Sequence, residues 1–257
     1  MNARLACLLL ALLAGANVHA DETSLAGCAA RALPEHTMRQ TQTVTITSAA
    51  GWQRESRRTV YWQRFDDGTI KVLFHVERPK TEAGLKLLVV QKPAADPVIH
   101  VFSPDMNRAR RVVGSGASNS VLGTDFTFED ALYLQRFLGT AERVAVQDST
   151  LDGHAVFVAE TRPEADDSAY SRIRTFVDKH SCLPMKTEFY GHNGALDKTL
   201  TLARDAVIDI HGHAVATRMV MDNHLRKQRT ELAASEIEID APLPPSLFTL
   251  AEIEKSH

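Results

Sequence analysis

Residues Gly114–Leu134 read GSGASNSVLGTDFTFEDALYL. Small, polar and glycine-rich residues give way to an aromatic and acidic cluster and then to a short amphipathic run. The pattern predicts a loop leading into a capped helix. Thr127 or Asp125 serves as the cap, and the helix continues through Phe137. Glu129 and Asp130 then fall in the first helical turn, where the helix dipole favours acids. This segment interrupts a chain that is otherwise patterned as strands, and it divides them into an earlier and a later set.

Before the loop, Thr41–Thr47, Trp52–Phe65, Thr69–Glu77, Leu85–Gln91, Val98–Ser103 and Arg108–Val113 are rich in β-branched and alternating residues. Asp67-Gly68 and Pro104-Asp105 punctuate them as turns. After it, Glu142–Ser149, His154–Arg162, Ser171–Asp178, Pro184–Tyr190, Lys198–Ile210, Ala214–Asp222 and Lys227–Ala234 read as strands. Asp152-Gly153, Asn193-Gly194 and His211-Gly212 mark turns between them. Ser24–Leu33 is a first helix stopped by Pro34, and Pro242–Leu250 is a proline-bounded tail. The expected fold is mainly β with short helices (α+β). Strands joined in sequence by hairpins imply an antiparallel sheet with one face to cover. A strongly curved sheet with helices across its mouth suits this order.

Met1–Ala20 has Arg4 followed by an apolar stretch, Leu5–Ala14, and ends in Val18-His19-Ala20. This is the pattern of an export signal cleaved after Ala20, and its apolar run is too short to span a bilayer. Residues 1–20 are therefore expected to be a signal peptide and 21–257 a single domain. A net charge of −3 over 257 residues gives no basic footprint for nucleic acid. Two local basic clusters, Arg54/Arg57/Arg58 and Arg108/Arg110/Arg111, read as solvated strand edges or as contacts to anionic lipid heads or a partner. Cys28 and Cys182 remain after cleavage. In an oxidising compartment they form either a disulfide or two buried thiols.

Catalytic patterns are weak. His211-Gly212-His213 spans a turn without a third metal ligand at diagnostic spacing. Asp178, His180 and Cys182 alternate on one strand face, but a disulfide at Cys182 would remove the nucleophile. Gly114-Ser115-Gly116 lacks the lysine and serine of a phosphate loop. No catalytic residue, metal site or cofactor is expected.

Four passages resemble the LolA-like outer-membrane lipoprotein-sorting family. The first is Val113–Gly116 followed by Gly123-Thr124-Asp125-Phe126-Thr127-Phe128-Glu129-Asp130. The second is Cys182-Leu183-Pro184-Met185-Lys186-Thr187-Glu188-Phe189-Tyr190. The others are the methionine-bearing strand from Val220 to Thr230 and the closing Pro242–Phe248. Ala131 and Gly191 depart from the family pattern, which often has leucine at the first position and an acid at the second. The resemblance implies a single LolA-like domain over 21–257, built as an unclosed β-barrel with a helical lid. It implies a periplasmic carrier, not an enzyme, that holds the acyl chains of lipoproteins or other lipids and transfers them toward the outer membrane. A membrane transporter or an outer-membrane acceptor would be further partners, and a monomer is the expected state of a shuttle. The alternative is a lipid-sensing or partner-binding regulatory module of the same fold.

On that reading the candidate groove lining is Ile70, Val72, Phe74 and Val76 on one strand face. Leu85, Leu87 and Val89 line the next strand, and Tyr133, Leu134 and Phe137 come from the helix. The candidate lid and loop residues are Gly114, Gly116, Gly123, Asp125, Phe126, Phe128, Glu129 and Asp130. Core and cargo groove draw on the same residue types.

Overall fold

The structure is a computed structural model that describes residues 24–31, 34–93, 95, 97–112, 119–139, 145–163 and 168–255, with backbone alone at 29–31 and 135–139. The expected signal peptide and loop residues Gly114 and Gly116 lie outside this set, as does the side chain of Phe137.

Strands β1 (Thr37–Thr47), β2 (Gln53–Arg64), β3 (Ile70–Arg78), β4 (Lys86–Gln91), β5 (Val98–Ser103) and β6 (Arg108–Val112) form one meander. A second runs through β7 (Ala145–Leu151), β8 (His154–Thr161), β9 (Tyr170–Asp178), β10 (Pro184–Gly191), β11 (Leu196–Leu202), β14 (Arg218–Asn223) and β15 (Gln228–Ile239). Pairing of β1 with β15 joins the two into a 13-stranded antiparallel sheet, ordered β6-β5-β4-β3-β2-β1-β15-β14-β11-β10-β9-β8-β7. Its edges, β6 and β7, do not pair with each other, so the sheet is not closed into a barrel.

The chain leaves one edge at β6 and returns at the other at β7. Helix α2 (Phe128–Gly139) lies in this connection. The Leu122 carbonyl accepts from Arg54 on β2, while the Tyr133 hydroxyl reaches Thr161 on β8. Those strands are seven spacings apart, about 34 Å across a flat sheet at roughly 4.8 Å per strand. The half-coiled, half-helical segment between Leu122 and Tyr133 is shorter than that. The sheet therefore curls around it.

Alternation then divides the faces. Val44 and Ile46 of β1, Leu87 and Val89 of β4, Ile173, Phe189, Leu200, Met221 and Leu232 point inward into one buried cluster. On the outer face of β3 and β4, Leu73 and Leu88 meet Phe248 and Ile253 of the C-terminal segment, which contains helix α3 (Leu250–Ile253). Phe65 contacts Phe248 edge-on at 6.2 Å. Covering on both sides explains why Lys86–Val89 is buried without interruption.

The later strands depart from expectation. Lys198–Ile210 and Ala214–Asp222 are not two continuous strands. A turn of 3-10 helix at Arg204–Ala206 and the residue Thr217 break them. The excised pieces, β12 (Val207–Ile210) and β13 (His213–Ala216), pair only with each other. Val207, Ala214 and Ala216 turn inward against the main cluster. His211 and His213 belong to the tip of this hairpin, where His211 and Gly212 take positive φ. Among the described residues no group of three His, Cys, Asp or Glu side chains is placed to hold a metal.

Helix α1 (Leu25–Arg31) is tied to the β9–β10 turn by a disulfide between Cys28 and Cys182. Leu25, Phe157, Ala159 and Val177 pack around it. Asp178 organises the turn. Its Oδ1 accepts from the N–H groups of His180 and Ser181, and its Oδ2 from Arg204 at 2.8 Å. Burial pushes the Asp178 carboxyl up. The donors of Ser181, Arg204 and His180 outweigh that and hold it below the usual aspartate range.

The bridge joins positions 154 residues apart. Replacing both cysteines by alanine is expected to cost about 2–4 kcal/mol through greater freedom of the unfolded chain, read from urea unfolding. Asp178 binds its proton more weakly folded than unfolded, so its stabilisation is complete above the ordinary aspartate pKa and fades as pH falls through the folded value. The stability gap between the native protein and Asp178→Asn should accordingly narrow from pH 5 to pH 3, as followed by thermal unfolding.

Candidate functional site

The Gly123–Asp130 stretch forms a latch over the cluster. Leu122 and Gly123 both take positive φ, and a side chain at Gly123 would collide with the Arg54 guanidinium. Arg54 in turn pairs with Glu82 at 3.0 Å. The turn is closed by the Val121 N–H donating to the Phe126 carbonyl at 2.7 Å. Phe126 and Phe128 then drop into the apolar interior, each 7 % exposed.

Both aspartates are buried. Asp125 grips the joined strands β14 and β15. Its Oδ1 accepts from Asn223 at 3.1 Å and its Oδ2 from the Thr230 hydroxyl at 2.7 Å, while its own N–H donates to that hydroxyl. Asp130 closes a capping box: Thr127 N–H donates to Asp130 Oδ2, and Asp130 N–H donates to Thr127 Oγ1. The same carboxylate takes Lys198 Nζ of β11 at 2.7 Å and the Tyr170 hydroxyl of β9 at 2.6 Å. Burial, then the Asp130 charge, push the Tyr170 phenol far up, so it remains a donor. Glu129 accepts from the Ser168 hydroxyl and from the Ala169 N–H. All three acids of the motif are thereby occupied in holding the start of α2. Lys198, Tyr170, Thr230 and Asn223 are the partners that sequence reasoning missed. They lie 40 to 105 residues away in the chain and carry no local signal.

Behind the latch, α2 lays Leu132, Tyr133 and Leu134 on the cluster. Tyr133 contacts Phe189 edge-on at 6.2 Å, and Phe189 meets Tyr170 at 5.1 Å. Of the expected lining, Val72, Phe74, Leu87, Val89, Tyr133 and Leu134 come together in this cluster. Ile70 and Leu85 are half-buried and Val76 is buried, but none of the three belongs to it. Leu85 precedes β4 and bonds Val76 through the backbone. Several members keep part of their surface free, among them Val72, Phe74, Val101, Leu132, Leu134 and Met219. Together these residues form a contiguous apolar cluster whose outer members are only partly covered. A cleft of about 170 Å³ borders the latch outside it, lined by Thr124, Asp125, Tyr170, Lys198, Asn223 and Arg226 among others.

The basic clusters divide. Arg108, Arg110 and Arg111 are exposed on edge strand β6, as expected. Arg57 pairs with Glu77 and Glu236 near the surface. Arg58 departs from the expectation of a solvated edge. It is 5 % exposed and points into the interior, because β2 lies inside the sheet and Arg58 alternates in phase with Val60 and Trp62.

Asp130→Ala would strand the Lys198 ammonium, 9 % exposed, without its counter-ion. The expected loss is about 3–5 kcal/mol, with faster amide exchange through α2. Adding Lys198→Met should recover part of it. Chemical denaturation with hydrogen exchange on the three variants checks both statements.

No curated protein sequence matches the chain. Solved structures do. A domain from Vibrio parahaemolyticus provisionally assigned to outer membrane lipoprotein sorting is similar, with TM-score 0.79, 22 % identity and 91 % of this chain aligned to 98 % of that one. A DUF1329 family protein from Desulfovibrio piger gives TM-score 0.80 at 21 % identity, covering 90 % and 97 %. A LolA superfamily protein from Nitrosomonas europaea gives 0.64 at 18 %, covering 88 % and 95 %. A family model described as uncharacterized protein-like matches residues 68–255. The chain belongs to that family, and its fold is that of the LolA-like lipoprotein-sorting proteins.

Proposed function

We propose that this protein is a periplasmic carrier that shields the acyl chains of lipoproteins or other lipids in its apolar concavity and passes them toward the outer membrane. The observation that carries this reading is the contiguous, half-covered apolar wall beneath α2. Moving an acyl chain through water needs such a wall. Each methylene withdrawn from water is worth about 0.8 kcal/mol, so ten offer about 8 kcal/mol before the costs of binding. The name of the Vibrio relative and the LolA-like fold support the same assignment.

In this reading residues 1–20 are the export signal, cleaved after Ala20, and 21–257 fold as one domain. The Cys28–Cys182 bridge suits an oxidising compartment. Among the described residues no helix is long and apolar enough to cross a membrane. Helix α2 is the lid. Its first turn is fixed by the aspartate latch, and its body rests on apolar contacts that cargo would replace. The lining is Val72, Phe74, Leu87, Val89, Tyr133 and Leu134, with Ile70, Val76 and Leu85 at its margins. Shielding and release require no catalytic residue, and a monomer suffices.

Native mass spectrometry with lipid extraction, on protein purified from periplasm, tests the proposal. A stoichiometric acylated species is expected, and Phe74→Glu or Leu87→Glu should remove it by placing a charge in the wall. Folded native protein that is empty and takes up no acylated ligand would overturn it, in favour of a partner-binding module of the same fold.

A further inference from the structure

Arg58 is a cation with little structural reason to be where it is. Across the β ladder it faces Gln42 on β1 and Val76 on β3. Its Nε donates to Gln42 Oε1 at 2.9 Å, and its guanidinium carbon stands 5.1 Å from the centre of the Phe74 ring. Gln40, Gln42 and Arg58 together make a nearly buried polar spot on the inner face. Among the described residues, no carboxylate lies within ion-pair distance of Arg58, and its two terminal amino groups meet no protein acceptor. Its sequence neighbours Arg54 and Arg57 both have glutamate partners. Burial pushes Arg58 down to about 10, so it still carries its charge at neutral pH.

Enclosing a charge without a counter-ion is unfavourable, and an apolar side chain of similar size would serve packing better. A largely buried charged group whose terminal donors meet no protein acceptor is a candidate contact for a ligand. With Nε engaged by Gln42, the free edge of the guanidinium presents two parallel amino groups. That fork matches the two oxygens of a carboxylate. Phe74 beneath it belongs to the apolar wall, so a head group held by Arg58 would start its tail on that wall.

We propose that Arg58, oriented by Gln42, anchors the carboxylate of a long-chain fatty acid whose tail runs from Phe74 along the concavity. This rests on the carrier reading and narrows it to free, singly charged amphiphiles.

The test is calorimetric titration of delipidated mature protein with hexadecanoate, hexadecanol and a lysophosphatidate of equal chain length, each below its micelle concentration. Hexadecanoate should bind at least tenfold more tightly than hexadecanol. Arg58→Met should abolish that preference by lowering hexadecanoate affinity at least tenfold, and Arg58→Lys should fall between. As a measurement that needs no variant, the 13C shift of carboxyl-labelled hexadecanoate should show the bound acid titrating about one unit or more below the free acid. Equal affinity for acid and alcohol in the native protein, or an unshifted carboxyl titration, would overturn the anchor and leave the carrier intact. Tighter binding of the lysophosphatidate, lost in Arg58→Met, would overturn the carboxylate in favour of a phosphate head. Failure to take up any of the three would overturn the anchor and the carrier together.

Discussion

The contact between Asp130 and Lys198 is the constraint on which the rest of the architecture turns. Apolar burial is strong but undirected. It would hold α2 somewhere on the concave face without fixing where the helix begins. A buried carboxylate is demanding in the opposite way, because leaving water is costly unless donors replace the lost hydration. Asp130 meets that demand at one position only, where the Thr127 N–H, the Tyr170 hydroxyl and the Lys198 ammonium converge. Asp125 repeats the device one turn earlier, on β14 and β15. Arg54 holds the preceding turn from β2. The segment joining the two edges of the sheet is thus fixed to both of its halves by directional contacts, and the curl of the sheet follows from that fixation.

The open edges have their own logic. A strand edge invites pairing unless something discourages it. On β6 the exposed positions are Arg108, Arg110 and Arg111, and β7 exposes its residues from Ala145 to Thr150, Asp148 among them. Charged and polar edges resist both closure on each other and pairing with a neighbouring chain. Helix α2 lies in the connection between the two edges, and among its described side chains beyond the first turn Leu132, Tyr133 and Leu134 pack on the apolar cluster.

Legibility in the sequence followed the range of the forces involved. Strands β1 to β10 and helix α2 were visible because alternation, turn residues and the capping and first-turn acids of a helix are local. The curved antiparallel sheet followed from their order, and the motif around Gly123–Asp130 pointed to the segment that covers it. The β12–β13 hairpin was hidden because both halves of Lys198–Ile210 carry β-branched residues, Thr199 and Thr201 in one and Val207, Ile208 and Ile210 in the other, and only tertiary context decides that the second half leaves the sheet at Ala203. The partners of the two aspartates were hidden because nothing near Lys198 or Thr230 announces a distant carboxylate. Arg58 was misjudged for another reason. In Ser56–Trp62 both alternating phases contain large apolar or aromatic residues, Val60 and Trp62 on one and Tyr61 on the other. The phase facing inward was therefore undetermined until β1 and β3 were placed beside it.

That phase matters because of what it does to the interior. A concavity built for stability alone would bury Val72, Phe74, Val101 and Met219 as completely as it buries Leu87, Phe189 and Met221. It would also exclude a guanidinium. The chain instead leaves the first group half-covered and spends a buried charge beside Phe74. Both choices cost stability, and on the proposed reading both are relieved by one kind of occupant, with an apolar body to cover the wall and an anionic end to meet Arg58. Two independent defects, one of shape and one of charge, would then have their remedies joined in a single amphiphile.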